Sequence, residues 1–343
     1  MASDKFFPER RKANLAMMIG IIGLLFFSFL ALFLGRYILS PTQVITAFYD
    51  KFYLGLDTTG TTVVIDIRLS RVLLNILVGS ALAAAGTAFQ GIFQNRLVSP
   101  EILGVSNGAG FGAALALLIS GGSTGFIVPF SFLGGILSIC ITYSFFRLKK
   151  DHSVLTLVLS GIIVGSIFNA LLSLIKLVAD TDSILPAITY WLMGSFSNTT
   201  MSDVFLAAIP IGIGTIVLFV LRWQINILSL GDEEAIAQGI RPQKMRLVII
   251  AACTLVTAAC VSVTGMIGWV GLIIPNIFRS LIGANNRYLI PLTCIYGANF
   301  ILIVDIIART VTPAEIPIGI LIALVGAPLF LIVYQKSKEG AAR

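Results

Sequence analysis

Stretches of about 20 apolar residues recur from one end of this chain to the other, each long enough to cross a hydrocarbon core of about 30 Å as a helix. Nothing else in the sequence restricts the fold as strongly, because a helix satisfies all its own backbone hydrogen bonds where no water is available. Only 11% of the 343 residues are charged, 57% are hydrophobic, and the mean hydropathy is +0.99. Average soluble domains carry roughly 25% charged residues. A water-soluble fold is therefore excluded, and the expected class is all-α: a polytopic membrane protein forming one transmembrane domain over residues 1–343.

Hydropathy places ten spans at about 14–36, 69–92, 102–121, 125–147, 153–179, 203–222, 244–264, 265–283, 289–309 and 316–335. The seventh and eighth divide least clearly, since "TGMIGWVGLIIPNIFR" holds glycines and a proline. An even count puts both termini on one side. Lys5, Arg10, Arg11 and Lys12 precede the first span, whose apolar length exceeds the roughly 7–15 residues of a cleaved signal core, so it reads as an uncleaved helix. With the N-terminus cytoplasmic, 17 of the 23 Lys and Arg fall inside, as the positive-inside bias requires. The same topology accounts for the net charge of +7 without a nucleic-acid partner. The six that remain are Arg36, Lys51, Arg68, Arg71, Lys176 and Arg309.

Two segments look water-facing. Residues 37–66 form an outer loop. Residues 223–243, "WQINILSLGDEEAIAQGIRPQ", form the longest cytoplasmic loop, in which "DEEAIAQ" reads as a short helix between Gly231 and Gly239, with Pro242 beyond. This loop is either a solvated connector or a covered surface. Ile227, Leu228, Leu230, Ala235, Ile236 and Ile240 favour cover, by a partner subunit.

Several motifs admit a packing and a functional reading. Small residues in "GSALAAAGTAFQGIFQ" and "GIIVG" let helices approach closely in lipid, although Gln90, Gln94 and Asn95 could face a conduit. Asn107 among the glycines of "LGVSNGAGFGAALA" marks a helix break, which persists at membrane depth only where protein or a water-filled cavity satisfies the backbone. Asp305 and Arg309, at i and i+4, can pair on one helix face. Arg309 could equally snorkel outward and, with Arg68 and Arg71 at i and i+3, present guanidinium forks to carboxylates, lipid headgroups or an anionic substrate.

Absences narrow the function. No GxxxxGK[ST] is present, so ATP is not bound through a P-loop of this chain. His152 is the sole histidine, and Cys140, Cys253, Cys260 and Cys294 lie in apolar segments without CxxC spacing, so metal and disulfide work are not expected. HExxH and GxSxG are missing, and few ionisable groups fall mid-span, which argues against a hydrolase and a proton relay.

The segments "RLSRVLLNILVGSALAAAGTAFQGIFQNRLVSPEILGVSNGAG", "GMIGWVGLIIPNIFRSLIGANNRYLIP" and "DIIARTVTPAEIPIGILIALVGAPLFL" resemble, in order, signature segments of the FecCD-type permeases. These are the membrane subunits of ABC importers for iron-siderophores, haem and cobalamin, and the likeness runs from about Arg68 to Leu331. It implies a ten-helix, cobalamin-importer-like permease of the type II importer fold in a prokaryotic cell (inner) membrane, both termini cytoplasmic. Its implied partners are a second permease copy or paralogue, two cytoplasmic ATPases that bind the ATP and Mg, an extracellular or periplasmic substrate-binding protein, and membrane lipid. No cofactor is implied on this chain and no catalytic residue, and the expected cargo is an iron-siderophore chelate, with haem and cobalamin open.

By position, Arg68, Arg71 and Arg309 match the family's outward arginines, which hold acidic residues of the binding protein. Leu230, Gly231, Asp232, Glu233, Ala235 and Gly239 match the cytoplasmic coupling helix. Asn95, Leu97, Ser153, Val154 and Leu155 match regions that narrow the cytoplasmic exit, and the pathway is implied along residues 153–179 and 316–335. The chain departs from the family pattern at Arg96, where proline is common, at Asn276, where histidine is common, and at Ser70, where proline is common. Two other classes compete: an ion-coupled secondary transporter, for which buried mid-span charges are scarce, and a non-transporting scaffold.

Overall fold

The computed structural model describes residues 8–35, 37, 39–148 and 154–341. Ten of its apolar helices are longer than ten residues: α1 (Pro8–Phe33), α2 (Ser70–Ile92), α3 (Val105–Ile119), α4 (Ile127–Leu148), α5 (Val154–Val178), α6 (Met201–Val220), α7 (Pro242–Thr264), α8 (Val270–Ile282), α9 (Asn286–Thr310) and α10 (Ile318–Ala341). The described residues contain no strand. Each helix corresponds to one of the ten expected spans. Seven helical stretches are long and apolar enough to cross a bilayer, while α3, α8 and the apolar part of α10, Ile318–Ile332, are shorter.

Three boundaries differ from expectation for local reasons. Residues 59–66 are not loop: Thr58 forms a capping box with Thr61, and the helix begun there runs without a break through a wide-wound stretch, Thr62–Leu69, into α2. The supposed outer loop also holds helix Pro41–Tyr49, started by a capping box between Ser40 and Gln43. The eighth span starts at Val270 rather than 265, because Gly265 (φ 72°) and Trp269 (φ 69°) interrupt the helix. Likewise α3 starts at Val105, after a 3-10 turn, Pro100–Leu103, closed by Gly104 at φ 82°. A helix of 13 residues such as α8 reaches only about 20 Å, short of the roughly 30 Å core.

The broken backbone is satisfied by neighbouring helices. Ser138 donates to the Gly104 carbonyl (2.8 Å), Thr142 to that of Leu103 (3.2 Å), and Asn107 to that of Gly165 (3.1 Å). The break expected at Asn107 is absent: α3 runs unbroken through Asn107, and the interruption lies three residues earlier, at Gly104.

α2 and α7 are buried over most of their length and α1 is largely exposed. The small-residue stripe of α2 does what close packing in lipid demands: a side chain at Gly79 would strike the backbone of Gly297 in α9, and one at Gly86 that of Gly271 in α8. α1 is fastened to α9 by Tyr296, which donates to the Ala16 carbonyl (3.0 Å), and by Asn299, which donates to that of Gly20 (3.0 Å). All four cysteines are free thiols, with Cys253 and Cys260 buried.

Candidate functional site: two charged ends of the bundle

At one end, which carries Arg222, Arg241, Arg246, Arg279 and Arg287, the chain leaves α6 as helix Arg222–Leu228 and turns into helix Asp232–Ala237. Gly231 (φ 130°) and Gly239 (φ 76°) supply the backbone conformations that L side chains rarely adopt, so the short helix has the bounds its glycines predict. Arg246, in the second turn of α7, grips Asp232 with both guanidinium arms (2.6 and 2.9 Å), and its Nε donates to the last carbonyl of α2, at Ile92 (3.3 Å). Gln94 donates to the Leu228 carbonyl (3.1 Å) from the turn after α2.

Cover for the loop's apolar residues is partly internal. Ile227, Leu228 and Ala235 are buried in the chain's own core, and Ile240 packs against it. Leu230 and Ile236 are not: they stand 71% and 63% exposed, next to the exposed Glu233.

Of the expected exit residues, Asn95 and Leu97 form an exposed turn after α2, in which the Leu97 N–H donates to Asn95 Oδ1 (2.9 Å). Val154 and Leu155 open α5 at the same end, Val154 beside a cavity of about 210 Å³ that Phe93, Arg147 and Arg246 also line. Ser153 lies outside the described residues.

At the opposite end the three arginines meet, but not as a displayed cluster. Arg68, Arg71 and Arg309 are 3%, 5% and 5% exposed. Arg71 binds Asp305 through Nε (2.9 Å) and a terminal nitrogen (2.8 Å), and reaches Glu315 with the other (2.9 Å). Arg309 donates to the Ala31 carbonyl at 2.7 Å and lies 3.6 Å from Asp305. Arg68 turns back onto the carbonyls that end α1, at Leu32 (2.7 Å) and Phe33 (3.0 Å), and onto that of Tyr37 beyond the helix. The expectation of outward forks is corrected accordingly. Guanidiniums this close to unsatisfied helix carbonyls and a buried carboxylate turn inward, where each charge is compensated within the chain.

Sequence reasoning missed three members of these sites. Glu315 was within a quoted motif, three residues before α10, and its sign opposite three arginines was the available signal. Arg246 pairs with Asp232 across 14 positions, beyond any helical spacing rule. Arg279 is buried in α8 with Gln90 as its acceptor.

Seven helical stretches long and apolar enough to cross a bilayer, three shorter apolar helices beside them, and a short helix clamped to one end define a multi-pass membrane protein. The model of the FecCD transport family matches residues 23–336. The molybdate import system permease protein of Haemophilus influenzae is 39% identical over 91% of this chain and 92% of its own length. A probable iron chelatin transport system permease protein of Helicobacter pylori is also 39% identical, over 78% of this chain and 81% of its own. A solved structure described as an inward-facing conformation of a metal-chelate type ABC transporter superposes with a TM-score of 0.84 at 37% identity, covering 93% of this chain and 98% of that one. The chain belongs to the FecCD transport family and is the permease subunit of an ABC importer.

Proposed function

We propose that this permease works in a prokaryotic cell membrane, with the Arg246-bearing end in the cytoplasm, and moves a ferric chelate handed to it by an external binding protein. Leu230 and Ile236 carry this reading. Two large apolar side chains stand exposed on a piece of chain that Arg246 fixes rigidly to α7 and α2, as expected of a knob made to enter a groove on a partner. An ATPase closing on ATP would push this helix, and the Arg246 clamp passes the displacement into α7 and α2. The interrupted helices α3 and α8 then provide places where the bundle bends without breaking continuous helical bonding. A second permease copy would cover the exposed apolar faces of α5 and α10. Molybdate is a second reading for the cargo, favoured by the 91% coverage of the Haemophilus influenzae relative.

The test is purification of the tagged chain from its own host in mild detergent, with mass spectrometry of stoichiometric partners. An equimolar P-loop ATPase is expected. Its absence after crosslinking would overturn the reading and leave ion-coupled transport as the class to examine.

A further inference from the structure

Arg279 is 9% exposed near the C-terminal end of α8, yet no carboxylate pairs with it among the described residues. Among the described residues its single side-chain partner is the neutral Gln90 amide, to whose Oε1 it donates at 3.3 Å, and its Nε has no acceptor. The charge felt there has the same sign: Arg96, in the turn that follows α2. Asn276, one helical turn before Arg279, donates to the Arg96 carbonyl (2.9 Å) and so ties that turn to α8. The carbonyl ends of α2 and α8 offset part of the positive charge. They do not fill the fork. A buried ion without a counter-charge is costly, and at the other end of this chain all three buried arginines are matched to carboxylates or backbone carbonyls. A guanidinium left with an open donor, beside a second guanidinium, is a receptor for negative charge from outside the chain.

The geometry points to Arg279, with Arg96 and the Gln90 amide beside it, as an anion-binding site that takes an oxyanion or carboxylate group of the cargo at the inner end of the permease. This rests on the importer reading above and narrows it, since the cargo is then anionic, as a ferric carboxylate chelate or molybdate would be. Arg96 and Asn276, the two positions at this end where the chain departs from the family's usual residues, are in contact and both belong to this site. The departure therefore adds a positive charge at the expected exit rather than merely altering its shape.

The chain with its co-purified ATPase is placed in nanodiscs, and equilibrium binding of radiolabelled ferric citrate and of molybdate is measured, with unlabelled inorganic phosphate as competitor. Saturable binding of at least one of the two is expected, resistant to phosphate, weakened about tenfold or more by Arg279→Gln, which is about 1.4 kcal/mol, and partly restored by Arg279→Lys. Equal binding by wild type and a folded, ATPase-bound Arg279→Gln complex would overturn the proposal. So would no binding of either anion to wild type. Full competition by phosphate would replace the cargo site with a general oxyanion or lipid-phosphate site.

Should Arg279→Gln fail to assemble, the wild-type melting temperature at constant ionic strength decides: a rise with ferric citrate or molybdate but not phosphate supports the site, and no rise refutes it. If no ATPase co-purifies, the importer reading fails. If the ATPase is present and anions do not bind, only the anion site fails.

Discussion

Asp305→Asn separates a buried structural network from a displayed docking cluster. Asp305 has no exposed surface and stands between Arg71, which it binds at 2.8 and 2.9 Å, and Arg309 at 3.6 Å. Asparagine keeps the shape but removes the charge. Arg71 then retains Glu315, itself partly exposed, while Arg309 loses its carboxylate and keeps the Ala31 carbonyl. Removing one partner of a buried pair costs about 3–5 kcal/mol, because the other charge stays buried without compensation. Glu315→Gln breaks a pair nearer the surface and is expected to cost less than half as much. The assay is thermal unfolding of the detergent-purified chain, followed by the fraction surviving as a monodisperse peak, with urea titration to obtain the free energy. The ordering wild type, Glu315→Gln, Asp305→Asn is expected. If Asp305→Asn lay within about 0.5 kcal/mol of wild type, the range of an ordinary surface substitution, the network would not be holding α1, α2 and α9 together. The three forks would then be available to a partner's acids after all.

Replacing both Leu230 and Ile236 by Asp should leave the melting temperature of the isolated chain unchanged while abolishing ATPase co-purification, since each apolar side chain contributes about 1.5–3 kcal/mol when fully buried; retained ATPase would refute the knob. Arg246→Ala should keep the ATPase but raise ATP hydrolysed per cargo moved in reconstituted vesicles, because helix Asp232–Ala237 loses its bidentate hold on α7; an unchanged ratio would show that the clamp carries no motion. Gly86→Val should block folding or cost more than the roughly 1–3 kcal/mol of ordinary overpacking, as its Cβ meets the Gly271 backbone rather than a movable side chain; normal yield and melting would refute the contact.

How far the sequence reveals the fold depends on which physical term dominates each segment. The apolar spans follow from the cost of exposing backbone to lipid, which acts on every residue alike, so all ten helices are legible from hydropathy. Their ends are not. Whether 59–66 is helix turns on a single capping box at Thr58, and hydropathy sees there only a three-residue apolar run, Val63 to Ile65, between threonines and Asp66. The start of α8 turns on the positive φ of Gly265 and Trp269. Glycine permits that conformation, while tryptophan adopts it only because the surrounding fold holds it there.

The sites divide along the same line. Helix Asp232–Ala237 is legible because its determinants are local: glycine, three acids and glycine again, within nine positions. The arginines are legible as an anomaly in charge bias, but the direction of Arg71 is decided by partners more than 200 positions away, Asp305 and Glu315. No spacing rule on one helix reaches them. Arg279 shows the converse. As a basic residue at the expected cytoplasmic end of a span, it satisfies the positive-inside bias and attracts no notice. Its significance appears only when α2 closes over it and supplies an amide where a carboxylate would have balanced the charge. A charge that agrees with topology can still be anomalous in its packing, and in a chain this poor in acids such an imbalance marks where something from outside is bound.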